Sequence, residues 1–284
     1  MVFMIIILLI VIGAFMGMVY LLEKQISLDK YHPATILIAI SLIGSIFAAP
    51  LLFYKFQIPT EPKYWTIGII SMLVYGVGSL FEFKAYKSVD ASTLSLIGKL
   101  NIVIAAIIGI ILFKDTYGLS GYIGLMLIII GSVVVLYEKK AFYMSKGVSF
   151  VILMAIGFAV ATVLDKIVLE GFSPFTYVFI NNFGIGILFL LIYPQARKEL
   201  WDLVKSYYKL VIPCALLTIV SWAGFLYVLQ NYQISYAYTI YEGTSLIAVV
   251  VFGIIFLRER LKLWQKLLGL LILLVGIILL NGIH

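Results

Sequence analysis

The sequence predicts an all-α integral membrane protein, ten transmembrane helices built as two inverted five-helix repeats. Three observations lead there. The 284-residue chain is 64% hydrophobic and only 12% charged, with a mean hydropathy of +1.16. Soluble domains carry about 25% charged residues, and no soluble fold of this size could hide so much apolar surface. The apolar residues fall into ten runs, each of about 20 residues, the length that crosses a ~30 Å hydrocarbon core at 1.5 Å per residue. Landmarks of the first five runs recur in the same order in the last five, those of runs four and five at a spacing of 144 to 145 residues.

The runs lie at approximately 2–22, 34–54, 64–86, 90–113, 117–137, 147–169, 174–193, 209–232, 235–257 and 262–282. Run one has no basic segment before it and ends Leu21-Leu22-Glu23-Lys24 without a small-residue cleavage pattern, so it reads as a retained span. Links are short. The most polar are Lys55–Lys63, Glu138–Lys146 and Gln195–Lys209. The last is long enough for an interfacial amphipathic helix with Leu200, Trp201, Val204 and Tyr208 on one side. Many of the 19 Phe and 19 Tyr stand near run ends, as an interfacial belt requires. The net charge of +7 comes mostly from the links, where lysine and arginine meet lipid headgroups; nucleic acid is not an expected partner. A single cysteine, Cys214, rules out an internal disulfide, and His32 and His284 lie outside the runs, so neither a metal nor another cofactor is expected.

The half-way link Glu138–Lys146 divides the chain into two units, 1–140 and 141–284. Phe113-Lys114-Asp115-Thr116 after run four returns as Leu257-Arg258-Glu259-Arg260 after run nine. Gly109 matches Gly253, and Gly124 and Gly131 match Gly269 and Gly276. Glu23-Lys24 then Pro33 is echoed by Asp165-Lys166 then Pro174, and Gly13-x-x-x-Gly17 by Gly157-x-x-x-Ala161. Five is odd, so consecutive copies enter the membrane from opposite sides. The repeat is therefore inverted, an architecture in which solutes bind near the midplane between the halves.

The lysine before a proline (Lys24…Pro33, Lys166…Pro174), the acidic turn after the fourth helix (Asp115, Glu259) and the glycine-rich fifth helix (Gly121-x-x-Gly124, Gly269) resemble the drug/metabolite transporter superfamily, EamA type. The resemblance covers nearly the whole chain. At the turn the family's usual Gly-Glu is replaced by Lys114-Asp115 and Arg258-Glu259. Where the family often has an arginine after the proline, this chain has Ile40–Ser41 and Asn181–Asn182. The resemblance implies a secondary transporter that moves small metabolites by alternating access.

Polar residues at membrane depth are candidates for the solute path, because a charge there costs ~2.5–3.5 kcal/mol on insertion scales and must face protein or a watery cavity. Tyr238, Tyr241, Glu242 and Ser245 stand at i, i+3, i+4 and i+7 and share one helix face. Glu242 reads as a solute ligand or proton carrier, or else as one half of a structural ion pair. Lys99 in run four aligns with Gly243 and so lies at a similar depth, which makes a Lys99–Glu242 pair attractive; Asn101 aligns with Ser245. Tyr75, Ser79 and Glu82 share a face of run three, although a carboxylate so near a helix end can snorkel to the interface. Trp222 with Tyr238 and Tyr241 could form an aromatic cage for a cation, or be core packing. Asn181 and Asn182 sit mid-span and need partners within the bundle. Glu23, Lys24, Asp165 and Lys166, at helix ends, read as gate or interface pairs. The small faces at Gly13/Gly17 and Gly157/Ala161 favour close helix packing. The cavity is expected to be lined by runs one, three, four, six, eight and nine.

No Walker A loop, H-E-x-x-H or G-x-S-x-G occurs, so an enzyme is not expected. The expected partners are a small-molecule solute with an amine or amino-acid-like character, the lipid bilayer of the cell membrane, and a second copy of the chain as a homodimer. A passive channel, or an enzyme acting on a lipid-linked substrate, are the rival classes. Orientation draws two answers. Lys55, Lys63, Lys114 and Lys166 alone serve the even-numbered links while most other basic residues serve the odd ones, which places the termini outside. The resemblance implies termini inside.

Overall fold

A computed structural model of the chain describes residues 2–113, 118–138, 141–142, 146–232, 234–257 and 263–280. The acidic turns Lys114-Asp115 and Arg258-Glu259, and His284, lie outside the described residues. Helices follow the apolar runs. They are α1 (Val2–Ser27), α2 (Pro33–Ala48) extended by a 3₁₀ turn (Ala49–Phe53), α3 (Pro62–Tyr86), α4 (Ala91–Gly98), α5 (Leu100–Phe113), α6 (Leu119–Leu136), α7 (Lys146–Val168), α8 (Pro174–Ile192), α9 (Ala196–Asn231), α10 (Ile234–Phe256) and α11 (Leu263–Leu280). Run four holds two helices because the backbone tightens at Lys99, whose carbonyl accepts from Ile102 in an i+3 turn. Counted as one span, Ala91–Leu112, it is among seven helical runs long and apolar enough to cross a membrane; shorter apolar helices cover Leu119–Val134, Ile240–Phe256 and Leu263–Leu279. These are the ten expected spans. Within the half-way link, Tyr137–Glu138 and Ala141–Phe142 add a two-residue antiparallel ladder.

Helix starts repeat between the halves. His32 caps α2 by accepting from Ala34, and Ser173 caps α8 by accepting from Thr176, with a proline at the first helical position of each. The link Gln195–Lys209 is helical as expected, but runs into run eight as one kinked helix, with Tyr207 at φ −121° and ψ 20° marking the bend. Its inward side is Ala196 and Leu203, both buried, whereas Trp201 is 76% exposed.

Packing follows the two-fold. Helix α2 packs on its counterpart α8, and α6 on its counterpart α11. The contact of α1 with α10 is repeated by α7 with α5, and that of α3 with α7 by α9 with α1. Lys24 donates to Tyr86 O and to Val89 O (2.9 Å), just past α3. Lys166 donates to Leu229 O (2.6 Å) and Tyr232 O (3.0 Å), at and just past the end of α9. Each lysine thus ties the end of one helix to the unsatisfied carbonyls at the end of another. The two clasps sit on opposite faces of the bundle. The bonds of Lys24 and Lys166 reach across to α3 and α9 at the helix ends.

Close approach depends on glycine where the small faces stood in the sequence. A Cβ on Gly17 would lie 2.4 Å from Ala248 Cβ and 2.9 Å from Ser245 O, so only glycine lets α1 meet α10. Gly157 meets Gly78 of α3 rather than a partner equivalent to α10. Apolar side chains such as Ile69, Ile111 and Leu271 are exposed on the outside of the bundle, where lipid would lie.

Candidate functional site

A cavity of about 140 Å³ lies at the centre of the bundle. It draws side chains from α1, α3, α5, α7, α9 and α10, as expected of the runs they represent, and also from α2 (Leu37, Ile40, Ser41) and α8 (Asn181, Asn182, Ile185). Helices α6 and α11, packed on each other at the periphery, contribute nothing to the lining.

Lys99 and Glu242 meet. Lys99 Nζ donates to Glu242 Oε2 and to Ser245 Oγ at 3.1 Å, and Ser245 Oγ donates to Glu242 O at 2.9 Å. The lysine is 2% exposed and lies 5.7 Å from the centre of the Tyr20 ring. The helix break at Lys99 places the ammonium across from the middle of α10. Asn101, in the first turn of α5, lines the cavity, and its Oδ1 has no partner among the described residues.

Glu82 does not snorkel. It is 4% exposed and faces the cavity, one turn before the end of α3, with Tyr86 OH donating to its Oε1 at 3.5 Å. Glu23, read from the sequence as an end pair with Lys24, also faces the cavity, one turn before the end of α1. Its position near a run end gave the sequence no sign of this, because inward and outward rotations of a helix end have the same hydropathy. Its counterpart Asp165 is 0% exposed and bound up in hydroxyl groups: Tyr177 OH at 2.6 Å, Ser71 Oγ at 2.8 Å and Tyr75 OH at 3.0 Å all donate to it. Asn181 Nδ2 donates to Tyr177 OH (3.0 Å), extending the chain to the cavity wall, and Asn182 Nδ2 donates to Val178 O (2.9 Å).

The aromatic grouping differs from the expected cage. Trp222 packs against Tyr75 (5.5 Å between ring centres) and Tyr177 (6.0 Å), while Tyr238 and Tyr241 gather on Phe225 (5.7 and 4.7 Å). Tyr241 OH also shares a 3.0 Å hydrogen bond with Ser221 Oγ. Trp222, Phe225, Tyr75, Tyr238 and Tyr241 all reach the cavity, as two aromatic walls. Sequence reasoning passed over Tyr20 and Thr162, which line it too; Thr218 and Phe225, read as the run-eight counterparts of the run-three face, do reach the cavity. The only signal for Tyr20 and Thr162 was helical spacing from residues already singled out.

Four buried side-chain atoms lack a hydrogen-bond partner among the described residues: Glu23 Oε2, Ser95 Oγ, Asn101 Oδ1 and Asn181 Oδ1. Three belong to cavity-lining residues, and all three are pure acceptors. No group of three or more metal-ligating side chains occurs among the described residues.

Two inverted five-helix units around a shared cavity define a multi-pass membrane protein with the architecture of a transporter. The model of the EamA-like transporter family matches residues 3–137 and again 145–282. The chain belongs to that family, and is a membrane transporter of the drug/metabolite type. It is also similar to an uncharacterized protein of Methanocaldococcus jannaschii, 33% identical over 95 residues that make up 33% of this chain and 69% of the relative. A solved crystal structure shares its fold, with a TM-score of 0.71, 11% identity and 95% of each chain covered.

Proposed function

We propose that the chain is a secondary active transporter of the cell membrane that moves a small amine-bearing or amino-acid-like metabolite by alternating access. The observation that carries this reading is the unpaired acceptors. Glu23 Oε2, Asn101 Oδ1 and Asn181 Oδ1 all await donors, and of the three cavity carboxylates Glu23, Glu82 and Glu242 only Glu242 has an ion pair among the described residues. Buried polar groups are normally satisfied, so the missing partner is a donor-rich, positively charged group. An ammonium matches this, and the aromatic walls at Trp222 and Phe225 suit its apolar flanks and the cation itself. The cavity volume suits an occupant of a few heavy atoms up to the size of a small amino acid.

The test is a thermal-shift screen of the purified protein against amines, amino acids, sugars and organic anions, followed by counterflow of the hits in liposomes. Binding at 100 times Kd stabilises by about 2.7 kcal/mol, and amines and zwitterions are expected to give the shifts. Saturable counterflow separates a carrier from a channel. Exchange of an organic anion with no response to amines overturns the reading. Glu242→Gln is expected to abolish coupled flux while leaving the protein folded; wild-type flux in that variant across pH removes Glu242 from the mechanism.

A further inference from the structure

Glu23 and Asp165 hold the same place in the two repeats, each followed by a lysine that clasps a neighbouring helix end. The fold treats them in opposite ways. Asp165 is fully dressed by three hydroxyl donors. Glu23, 6% exposed, turns to the cavity, and its Oε2 has no partner among the described residues. Near it stands Glu82, equally buried, and Tyr86 adjoins both carboxylates, donating to Glu82 Oε1. No cation among the described residues pairs with either acid. Lys99 is held by Glu242 and Ser245, and Lys24 by backbone carbonyls.

We infer that Glu23 and Glu82 form a site for one exchangeable monovalent cation, a proton or a sodium ion, separate from the Lys99–Glu242 pair. The coupling role of this site rests on the transporter reading above; the site itself does not. The charged and titratable groups around it are Tyr20 and Lys24 on α1, Tyr86 on α3, Lys99 before α5, Cys214 on α9, and Tyr241 and Glu242 on α10; the lining residues of α2 are Leu37, Ile40 and Ser41. Lys99 bonds to Glu242 and Ser245, and Lys24 to backbone carbonyls, so neither acid has a direct ion-pair partner among the described residues. Two bare carboxylates this deep are costly to enclose, whereas a pair sharing one cation is not. A bundle that can close around the loaded pair but not the empty one links movement of the cation to the change of access.

Infrared difference spectroscopy of the purified protein in a lipid bilayer tests this without any solute. With a proton as the occupant, a buried carboxylic-acid C=O band disappears as the buffer is made alkaline. With sodium, the carboxylate bands shift on exchange of choline chloride for sodium chloride. Either response is expected to vanish in Glu23→Gln/Glu82→Gln and to persist in Glu242→Gln. Should the double variant not fold, the single variants Glu23→Gln and Glu82→Gln are each expected to move the pH or sodium midpoint by about tenfold or more in concentration. An unchanged response in folded double or single variants, or a response lost only in Glu242→Gln, overturns the assignment. Failure of amines to bind or exchange leaves this result untouched, and an absent infrared response leaves the solute class standing.

Discussion

Lys99 of the first repeat and Glu242 of the second form a buried ion pair across the pseudo-two-fold, with Ser245 as the lysine's second acceptor. Breaking one half of such a pair strands a charge, at a cost of about 3–5 kcal/mol, while removing both halves is close to neutral. Lys99→Met is therefore expected to destabilise the protein by that amount, and Lys99→Met/Glu242→Gln to recover most of it. Unfolding in mixed micelles, analysed as a double-mutant cycle, measures the coupling. A double variant as unstable as the sum of its singles would show that the pair carries no interaction energy.

Asp165 and Glu23 make a matched comparison. Asp165→Asn keeps the size of the side chain but loses an ionised acceptor of three hydroxyl bonds, each worth about 1.5–3 kcal/mol to a charged group. It is expected to cost at least one such bond. Glu23→Gln breaks no ion pair and keeps the size of a side chain whose Oε2 has no partner among the described residues, so its stability is expected to be unchanged or raised. Thermal melts of the two variants side by side decide this; equal losses contradict the asymmetry.

Gly17 and Gly68 differ in the room they have. Alanine at 17 would press its Cβ to 2.4 Å from Ala248 Cβ and 2.9 Å from Ser245 O, wedging α1 off α10 beside the Lys99 acceptor. An overpacked core of this kind costs about 1–3 kcal/mol. At 68 the nearest atoms would be 3.9 Å and 4.0 Å away, ordinary contacts. Gly68→Ala is therefore expected to be neutral, or to stabilise by about 0.5–1 kcal/mol through helix propensity. Melting temperatures distinguish them, and a destabilised Gly68→Ala would count against the packing described for α3.

Acid is expected to loosen one face of the bundle. Asp29, in the link between α1 and α2, accepts from the Lys30 N–H at 2.7 Å and from Tyr207 OH at 2.8 Å. First the backbone hydrogen bond and then the tyrosine hydroxyl hold its carboxyl below the ordinary aspartate range. A depressed carboxyl contributes in full above its unfolded value, near pH ~3.9, and the contribution is lost as the pH falls through the folded value. Hydrogen exchange in the 28–32 link should stay slow from neutral to mildly acidic buffer and quicken only below that. Quickening near neutrality would point to another group.

Much of the fold was legible in the residues. Each of the ten runs carries its own transfer free energy, so the spans could be found one at a time without knowing their neighbours. The doubling showed because landmarks such as Lys24…Pro33 and Lys166…Pro174 serve helix starts and ends that recur in both halves. The Lys99–Glu242 pair was within reach for the same reason, since equal depth in inverted copies is a matter of counting. What escaped were rotations and partners. Glu82 sits where a snorkelling side chain would sit, and only the placement of α1 and α3 turns it inward. Trp222 was grouped with Tyr238 and Tyr241, yet its neighbours come from α3 and α8, far away in the chain.

Taken alone, the sequence determined the class of the protein, its ten spans and their doubling, because hydropathy and chain punctuation are local properties that survive any arrangement of the helices. The tertiary structure alone decided which acids are answered. Asp165 and Glu23 are near-equivalent in sequence, but Tyr75, Tyr177 and Ser71 from two other helices satisfy one, whereas Oε2 of the other has no partner among the described residues. Hydrogen-bond satisfaction depends on atoms a few ångströms apart in space, here from Tyr177 12 residues along the chain and from Tyr75 and Ser71 90 and 94 residues away, and that proximity is set only when the helices pack.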